Sequence, residues 1–251
     1  MQTLQELYKM KRISLLLIFG FMCLQPLCSQ EHSCRRFDFS DNLLLKKQWH
    51  WRGKQFGIPM TKFSIKESTS ALDRKILLLE ANCSTGVIVT QIPAAVWQKY
   101  PVMRWRWRIL KKVDIKGKDV DDQAAVIYFG DGTVLKQNMV AYSWENLLPL
   151  GANTFVDYGM GSRKIFRIAV RNNKAGLSQW YEEERNVVED FKKAFGRAPE
   201  GRCGLTIGAN SQYSQSKTMV EIDFIEFCEA PKKVSSPAGD GRKIAERRTQ
   251  K

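Results

Sequence analysis

The chain has 251 residues, of which 43% are hydrophobic, enough to bury one substantial core, and its formal net charge is +14. It has only two histidines, His32 and His50, which excludes a metal site built from several imidazoles and leaves only His50 for a nucleophilic triad. The sequence contains no glycine-rich phosphate loop and no dinucleotide fingerprint, and its basic residues are spread among strands instead of clustered. We therefore expect no cofactor, no metal and no nucleic-acid partner.

The first segment, residues 1–29, is typical of a secretory signal peptide. Three basic residues within 9–12 precede an apolar run at 13–24, and Pro26 and Ser29 follow it. The run is short for a membrane-spanning helix, so we expect cleavage near Ser29, no permanent membrane span and export to the periplasm or the extracellular space. A permanent anchor and lipidation of the cysteine just before Ser29 remain as alternatives.

After the signal segment, short β-branched and aromatic runs alternate with turn residues, which predicts an all-β fold. Their spacing is typical of a two-sheet antiparallel β-sandwich, or jelly roll, over residues 30–230. Residues 231–251 are rich in Pro, Gly, Ser, Lys and Arg, and we predict a disordered basic tail there. The predicted strands are 34–40, 61–68, 75–81, 85–91, 102–110, 122–129, 140–144, 164–170, 177–183, 204–210 and 219–227.

Four cysteines follow the signal segment, namely Cys34, Cys83, Cys203 and Cys228. An even number in an exported chain indicates two disulfides, for which three connectivities exist. Because Cys34 lies in the first predicted strand and Cys228 in the last, we favour Cys34 with Cys228 and Cys83 with Cys203.

The strand VMRWRWRIL at 102–110 admits two interpretations. Alternation places Trp105 and Trp107 on one face and three arginines on the other. The tryptophans can form a core face while the arginines pair with acids, for instance on a neighbouring strand at 122–129, or the segment can be a ligand-binding surface. The arginines are Arg104, Arg106 and Arg108.

Two glycine-rich segments are predicted to be connections. FGDGT at 129–133 resembles part of a calcium loop, but an Asp-Gly pair between two strands indicates a hairpin turn. DYGMG at 157–161 is predicted to be a loop flexible enough to close over a neighbouring site.

One short helix is predicted at 187–195. Asn186 followed by Glu189 resembles a capping box, and the apolar residues that follow share one face. Gly196 suits the helix C-cap, and Pro199 prevents continuation.

The candidate ligand-binding residues are polar and aromatic side chains on strands that can converge on one sheet face. Guanidinium and carboxylate groups form charge-assisted hydrogen bonds with sugar hydroxyls, and an exposed aromatic ring packs on a sugar ring. We therefore predict an exported, non-catalytic protein that recognises a carbohydrate or similar polar ligand, with a glycan or an anionic envelope surface as its partner. The candidates are Arg104, Arg106, Asp122, Tyr142 and Trp144.

Two other classes of function stay open. A glycan-active enzyme needs only two carboxylates facing each other across a cleft. A structural envelope protein needs no site at all. The candidate carboxylates are Asp121, Asp122, Asp157, Glu182, Glu183 and Glu184.

Several motifs together resemble an exported bacterial family, the domain of unknown function 3047. The resemblance covers most of residues 35–228 and is most specific at 180–196. It implies the architecture of jelly-roll carbohydrate-binding modules. The motifs are RWRW at 104–107, DDQAAVIYF at 121–129, YSW at 142–144, WYEEERNVVEDFKKAFG at 180–196 and VEIDFIEF at 220–227.

The chain departs from this family after the penultimate strand. Where the family commonly has an acidic, Asp-Thr-Asp-like run, this chain has GANSQYSQSKT at 208–218. A role of those acids in binding a cation or a hydroxylated ligand is therefore in doubt here, but Asn210, Ser211 and Tyr213 offer hydrogen-bonding groups for sugar hydroxyls. Asn210 joins the predicted ligand site on this basis.

Overall fold

The computed structural model describes residues 33–37, 39, 42–68, 75–115, 121–133, 135–146 and 148–231. The predicted signal peptide and all but the first residue of the predicted basic tail lie outside the described residues. Within those described, no helix is long and apolar enough to cross a membrane.

The described residues form two packed β-sheets and three short helices, which confirms the predicted sandwich. Two of the helices, α1 and α2, were not predicted. In chain order the elements are β1 Cys34–Phe37, α1 Asn42–Gln48, β2 His50–Arg52, β3 Lys62–Glu67, β4 Lys75–Asn82, β5 Thr85–Ile92, α2 Ala94–Lys99, β6 Val102–Lys111, β7 Ala125–Gly132, β8 Gln137–Glu145, β9 Asn153–Tyr158, β10 Arg163–Asn172, β11 Tyr181–Asn186, α3 Val187–Phe195, β12 Cys203–Asn210 and β13 Lys217–Cys228.

Strand order explains which segments face each other. The six-stranded sheet has the order β11-β6-β13-β4-β3, with β1 paired to the C-terminal end of β13. The seven-stranded sheet has the order β2-β5-β12-β7-β8-β10-β9, and its strands are antiparallel except for β8 and β10. The pairing of 102–110 with 122–129, considered above as one source of acidic partners, does not occur, because β6 lies between β11 and β13 while β7 belongs to the other sheet.

The core between the sheets is strongly aromatic. From the six-stranded sheet, Trp105 and Trp107 point inward with 0% exposure, as alternation along β6 predicts. They meet Tyr142 and Trp144 of β8, with ring centroids 5.2 Å apart for Trp105 and Tyr142 and 5.6 Å apart for Trp107 and Trp144. Such tilted and edge-on contacts are favourable beyond simple burial.

Helix α3 has the boundaries and caps that its sequence predicts. The Asn186 side chain accepts a hydrogen bond from the backbone N–H of Glu189, and Gly196 ends the helix at φ +70°. The hydroxyl of buried Tyr142 donates to Asp190 of the helix over 2.9 Å, so α3 is tied to the seven-stranded sheet.

The cysteine prediction is half correct. Cys34 and Cys228 form a disulfide between β1 and β13, where the two residues are also register partners. Cys83 and Cys203 are free, and their predicted pairing was wrong. Cys203 starts β12 opposite Ile92, whereas Cys83 precedes the other end of β5, so about seven residues of strand, roughly 23 Å, separate them.

The predicted hairpin is present, since β7 and β8 are antiparallel neighbours, but both glycine-rich segments extend further into strands than expected. Strand β7 continues through Gly132, and its connection to β8 closes with the N–H of Thr133 donating to the carbonyl of Lys136 over 2.8 Å. Asp131 therefore lies within the strand, where its carboxylate accepts hydrogen bonds from Arg197. The segment predicted as a loop at 157–161 begins as the end of β9, and the chain turns from Gly159 through Gly161.

Candidate functional site

The outer face of the six-stranded sheet is covered by ion pairs between β6 and β13. Arg108 contacts Glu221 at 2.5 Å, and Glu221 is fully buried. Two further pairs join β6 to β13, namely Arg106 with Asp223 at 3.0 Å and Arg104 with Glu226 at 3.2 Å. The arginine face of VMRWRWRIL is thus occupied by strand-to-strand ion pairs, which favours the structural interpretation of these arginines.

A β-bulge makes this arrangement possible. Glu221 and Glu226 are five residues apart, so in a regular strand they would point to opposite faces. The register of β13 against β6 shifts between Ile222 and Phe224, and the shift returns Glu226 to the outer face beside Arg104.

The structure does not bring the predicted ligand-binding residues together. Arg104 and Arg106 lie on the outer face of the six-stranded sheet, whereas Tyr142 and Trp144 are fully buried between the sheets. An exposed aromatic ring was expected at Trp144, and this was wrong because the inward face of β8 points into the core.

A groove of about 600 Å³ lies on the outer face of the seven-stranded sheet. It runs over β5, β12, β7, β8 and β10, whose outward-facing positions line up in rows set by the strand register. The rows along β5, β12 and β7 are Val87-Gly208-Val126, Val89-Thr206-Tyr128 and Gln91-Gly204-Gly130.

The floor of the groove is open because its central strand, β12, carries small outward side chains. Gly204 and Thr206 alternate with the buried residues Leu205 and Ile207, whereas the Val87 side chain fills the space above Gly208. A Cβ on Gly204 would meet its nearest neighbours only at 4.0 Å, so the space above it belongs to the groove.

A charged cluster forms one wall of the groove. Arg167 of β10 is 6% exposed and donates to the carboxylate of Asp121 over 2.8 Å and to the hydroxyl of Tyr158 over 3.3 Å. Tyr158 donates in turn to Asp121, as does the side-chain amide of Gln123 over 2.8 Å. Asp121, Gln123 and Tyr158 all line the groove, so this cluster presents fixed hydrogen-bonding groups beside the apolar floor.

The electrostatic environment of this wall shifts the pKa values of two carboxyl groups in opposite directions. Burial acts to raise the pKa of Asp121, but the hydrogen bond from Tyr158 and the charge of Arg167 outweigh it and hold the pKa below its ordinary value. Burial raises the pKa of Glu145, whose carboxylate lies 3.8 Å from the Nε of Arg167. Burial also raises the pKa of Tyr128 to about 12, so its phenol stays neutral at physiological pH.

Asp122 and Asn210 shape one end of the groove. Asp122 is 1% exposed and accepts the backbone N–H groups of Tyr213 and Ser214, which positions Tyr213 at the rim with 60% exposure. Asn210 lines the groove, and its side chain donates to the backbone carbonyl of Asp121 over 3.2 Å. Of the predicted ligand-binding residues, Asn210 is the one on the groove wall, and Asp122 acts on the groove through the backbone.

Sequence analysis missed most of the groove. Arg167, Tyr158, Tyr128 and Gln123 were not among the candidates, whereas Asp121 was named only as a carboxylate. Two signals were available, namely a single arginine inside the apolar run KIFRIAV at 164–170 and the alternating small residues of β12.

Residues 49–226 match the model of a family described as a protein of unknown function, DUF3047, and the chain belongs to this family. This confirms the resemblance noted from the sequence motifs. Among proteins with curated descriptions, none matches the chain.

Several solved structures are similar at low identity. One is the family 11 carbohydrate-binding module from Clostridium thermocellum in complex with a β-1,3-1,4-mixed-linked tetrasaccharide, at 11% identity and a TM-score of 0.42, covering 78% of this chain and 96% of that one. Another is endoglucanase 3 of family GH12 from Trichoderma harzianum, at 8% identity and a TM-score of 0.40, covering 80% and 99%. A third is the winged bean acidic lectin complexed with methyl-α-D-galactose, at 13% identity and a TM-score of 0.40, covering 78% and 99%. Likeness at this level carries no ligand over to this chain.

Proposed function

We propose that this protein binds a carbohydrate or a similar polar ligand, without catalysis, in the groove on the outer face of the seven-stranded sheet. The observation that carries the proposal is the groove itself: an open floor with apolar and aromatic side chains beside a fixed cluster of polar ones. Its volume of about 600 Å³ lies within the range of small-ligand sites, roughly 300–1,000 Å³.

The composition of the groove suits sugars. Sugar rings present apolar faces to aromatic side chains and hydroxyls to polar ones, and the groove offers Tyr128 in the floor and Tyr213 at the rim. Asp121, Gln123 and Asn210 supply acceptors and donors along the same wall. The outer face of the other sheet, by contrast, is filled with ion pairs.

A glycan-active enzyme is the second candidate, and one observation favours it. Asp121 and Glu145 lie on either side of Arg167, and their pKa values shift in opposite directions, as expected of an acid and a base. Glu145 is only 5% exposed and does not line the groove, so a ligand in the groove does not reach it. Binding is therefore the better-supported function.

Filling the groove tests the proposal. We expect Gly204→Leu to lower affinity on a glycan array and in calorimetry at least tenfold, because the new side chain occupies the space above β12. Stability should not fall, since no atom lies closer than 4.0 Å to the added Cβ and leucine loses less backbone entropy than glycine.

Lys62→Leu, an exposed position on β3 in the other sheet, is the matched control and should bind as the unsubstituted protein does. Glycans incubated with the unsubstituted protein should show no new reducing ends. Release of reducing ends that Asp121→Asn stops would establish the enzyme instead. If no glycan binds at all, a structural envelope protein becomes the better interpretation.

We also propose that the protein is exported to the periplasm or the extracellular space. The Cys34–Cys228 disulfide supports this, because disulfides persist mainly in oxidising compartments. Mass spectrometry of protein made in an exporting host should find an N-terminus near Gln30 and the disulfide intact.

The same experiment should distinguish the two free cysteines. Alkylation of the folded protein should label Cys83, which is partly exposed, and should label Cys203 only after unfolding. Cys203 is buried, and burial raises the pKa of its thiol to about 12, which suppresses the reactive thiolate. A mature protein that keeps Met1, or a bond between Cys83 and Cys203, would contradict this assignment.

A further inference from the structure

The groove is lined by arginines that have no ionic partner among the described residues. Arg52, Arg163 and Arg202 line it, all are exposed, and none of them forms an ion pair within the part of the chain that the structure describes. This distinguishes them from the arginines of the other sheet, which face carboxylates across β13.

The carboxylates that line the groove do not neutralise these arginines. Asp121 is paired with Arg167 at 2.8 Å, and Asp131 is paired with Arg197 at 2.6 Å. Arg167 also lies 3.8 Å from Glu145, and Arg197 lies 3.6 Å from Glu200, but neither glutamate lines the groove. Both lining carboxylates are thus paired, and the charge left unmatched among the lining residues is positive. A concave, partly apolar surface concentrates such a field and attracts anionic ligands.

The arginines are spread along the groove. Extending the strand register places Arg202, which immediately precedes β12, in one row with Gly132, Gln137 and Arg163. That row spans three strand spacings, so Arg202 and Arg163 lie roughly 14 Å apart. Arg52 pairs with Val87 near the opposite end of the groove, roughly 20 Å or more from Arg202.

We infer that the ligand is an acidic polysaccharide, whose repeated carboxylates meet these arginines along the groove. The inference rests on the proposed function and names its ligand class. Guanidinium binds carboxylate through two parallel hydrogen bonds, and arginines this far apart require a polymer of several sugar units instead of a single sugar. The apolar floor around Tyr128 then contacts the rings between the charged groups.

Calorimetry with oligogalacturonate, alginate and hyaluronan oligosaccharides tests the inference, with methyl-esterified oligogalacturonate as an uncharged match and a mixed-linkage β-glucan as a neutral comparison. At least one acidic oligosaccharide should bind tenfold or more tightly than the neutral ones. Its affinity should fall at least tenfold as sodium chloride rises from about 50 mM to about 500 mM, because salt screens exposed charges.

Substitution of the arginines tests the site. Arg52→Gln, Arg163→Gln and Arg202→Gln should each weaken binding of the acidic oligosaccharide about tenfold and leave thermal stability unchanged, since these side chains are exposed. Arg35→Gln removes the same charge from an exposed position on β1 and should bind normally. Short oligomers should bind more weakly than long ones.

The possible failures are distinguishable. Equal, salt-insensitive binding of esterified and free oligogalacturonate would overturn the acidic ligand and leave the proposed carbohydrate function in place. Unchanged affinity in the groove variants together with loss in Arg35→Gln would overturn the assignment of the site. Binding to no glycan at all would overturn both the ligand class and the function, as would a preference for anionic phospholipid vesicles.

Discussion

Trp144→Ala is expected to lower the free energy of unfolding by about 3–5 kcal/mol, because it removes a fully buried aromatic side chain and leaves a cavity between the sheets. Its ring packs edge-on against Trp107 at 5.6 Å and Tyr181 at 5.4 Å, so these contacts are lost as well. For a domain of this size the melting temperature should fall by roughly 10 °C. Chemical denaturation and calorimetry measure both quantities.

Trp51→Ala is the matched control, because Trp51 is 39% exposed on the edge strand β2. Its effect should stay within about 1 kcal/mol. A Trp144→Ala protein that keeps its melting temperature and loses only glycan binding would show that the ring faces a ligand. It would contradict the packing of Trp144 in the core between the sheets.

Glu221→Gln is expected to be similarly damaging, at about 3–5 kcal/mol, because it leaves Arg108 without its buried counter-ion. Glu221 is 0% exposed and lies 2.5 Å from both Arg108 and Lys66. Lys66 keeps 41% of its side-chain surface exposed, whereas Arg108 keeps 14%. Water therefore replaces the Glu221 counter-ion better at Lys66 than at Arg108.

A double substitution distinguishes loss of the whole Arg108–Glu221 ion pair from loss of only one of its two charges. Replacing Glu221 by Leu and Arg108 by Met together should cost far less than Glu221→Gln alone, because two well-packed apolar side chains replace a desolvated ion pair. Glu182→Gln is the control: this carboxylate is 59% exposed and 3.8 Å from Arg106, so its removal should cost no more than about 1 kcal/mol. Equal losses for the exposed and the buried glutamate would contradict the burial of Glu221.

The elements that sequence analysis located best are those whose signal is local. The capping residues of α3 and the alternation along β6 depend on neighbours within a few positions, and both were predicted. The partners of β6 were not, because the alternating pattern states which face is apolar but not which strand lies alongside. The bulge in β13 was not predicted either, because the segment FIEF shows no irregularity until its residues are paired with those of β6.

The candidate site was harder to predict than the fold for a physical reason. The groove is built from outward-facing residues on strands far apart in sequence, and many of these residues are ordinary glycines, valines or threonines. In its charged wall, Asp121, which precedes β7, accepts a hydrogen bond from Arg167 of β10. These two residues lie together only because of the strand order in the sheet. Tyr142 and Trp144 were predicted to face a ligand because they are aromatic, but the pleat of β8 turns both into the core.

The place of β13 in the six-stranded sheet constrains when that sheet can form during folding. Among the described residues it is the last strand in chain order, yet β4, β6 and β1 all pair with it and, within that part of the chain, do not pair with one another. The six-stranded sheet therefore cannot close before β13 has been synthesised, and a chain that ended before residue 217 would leave β4 and β6 each with an unpaired backbone edge. Because these pairings join distant parts of the sequence, folding is expected to be slow, in the millisecond-to-second range of β-sandwiches, with the six-stranded sheet completed only once β13 is available.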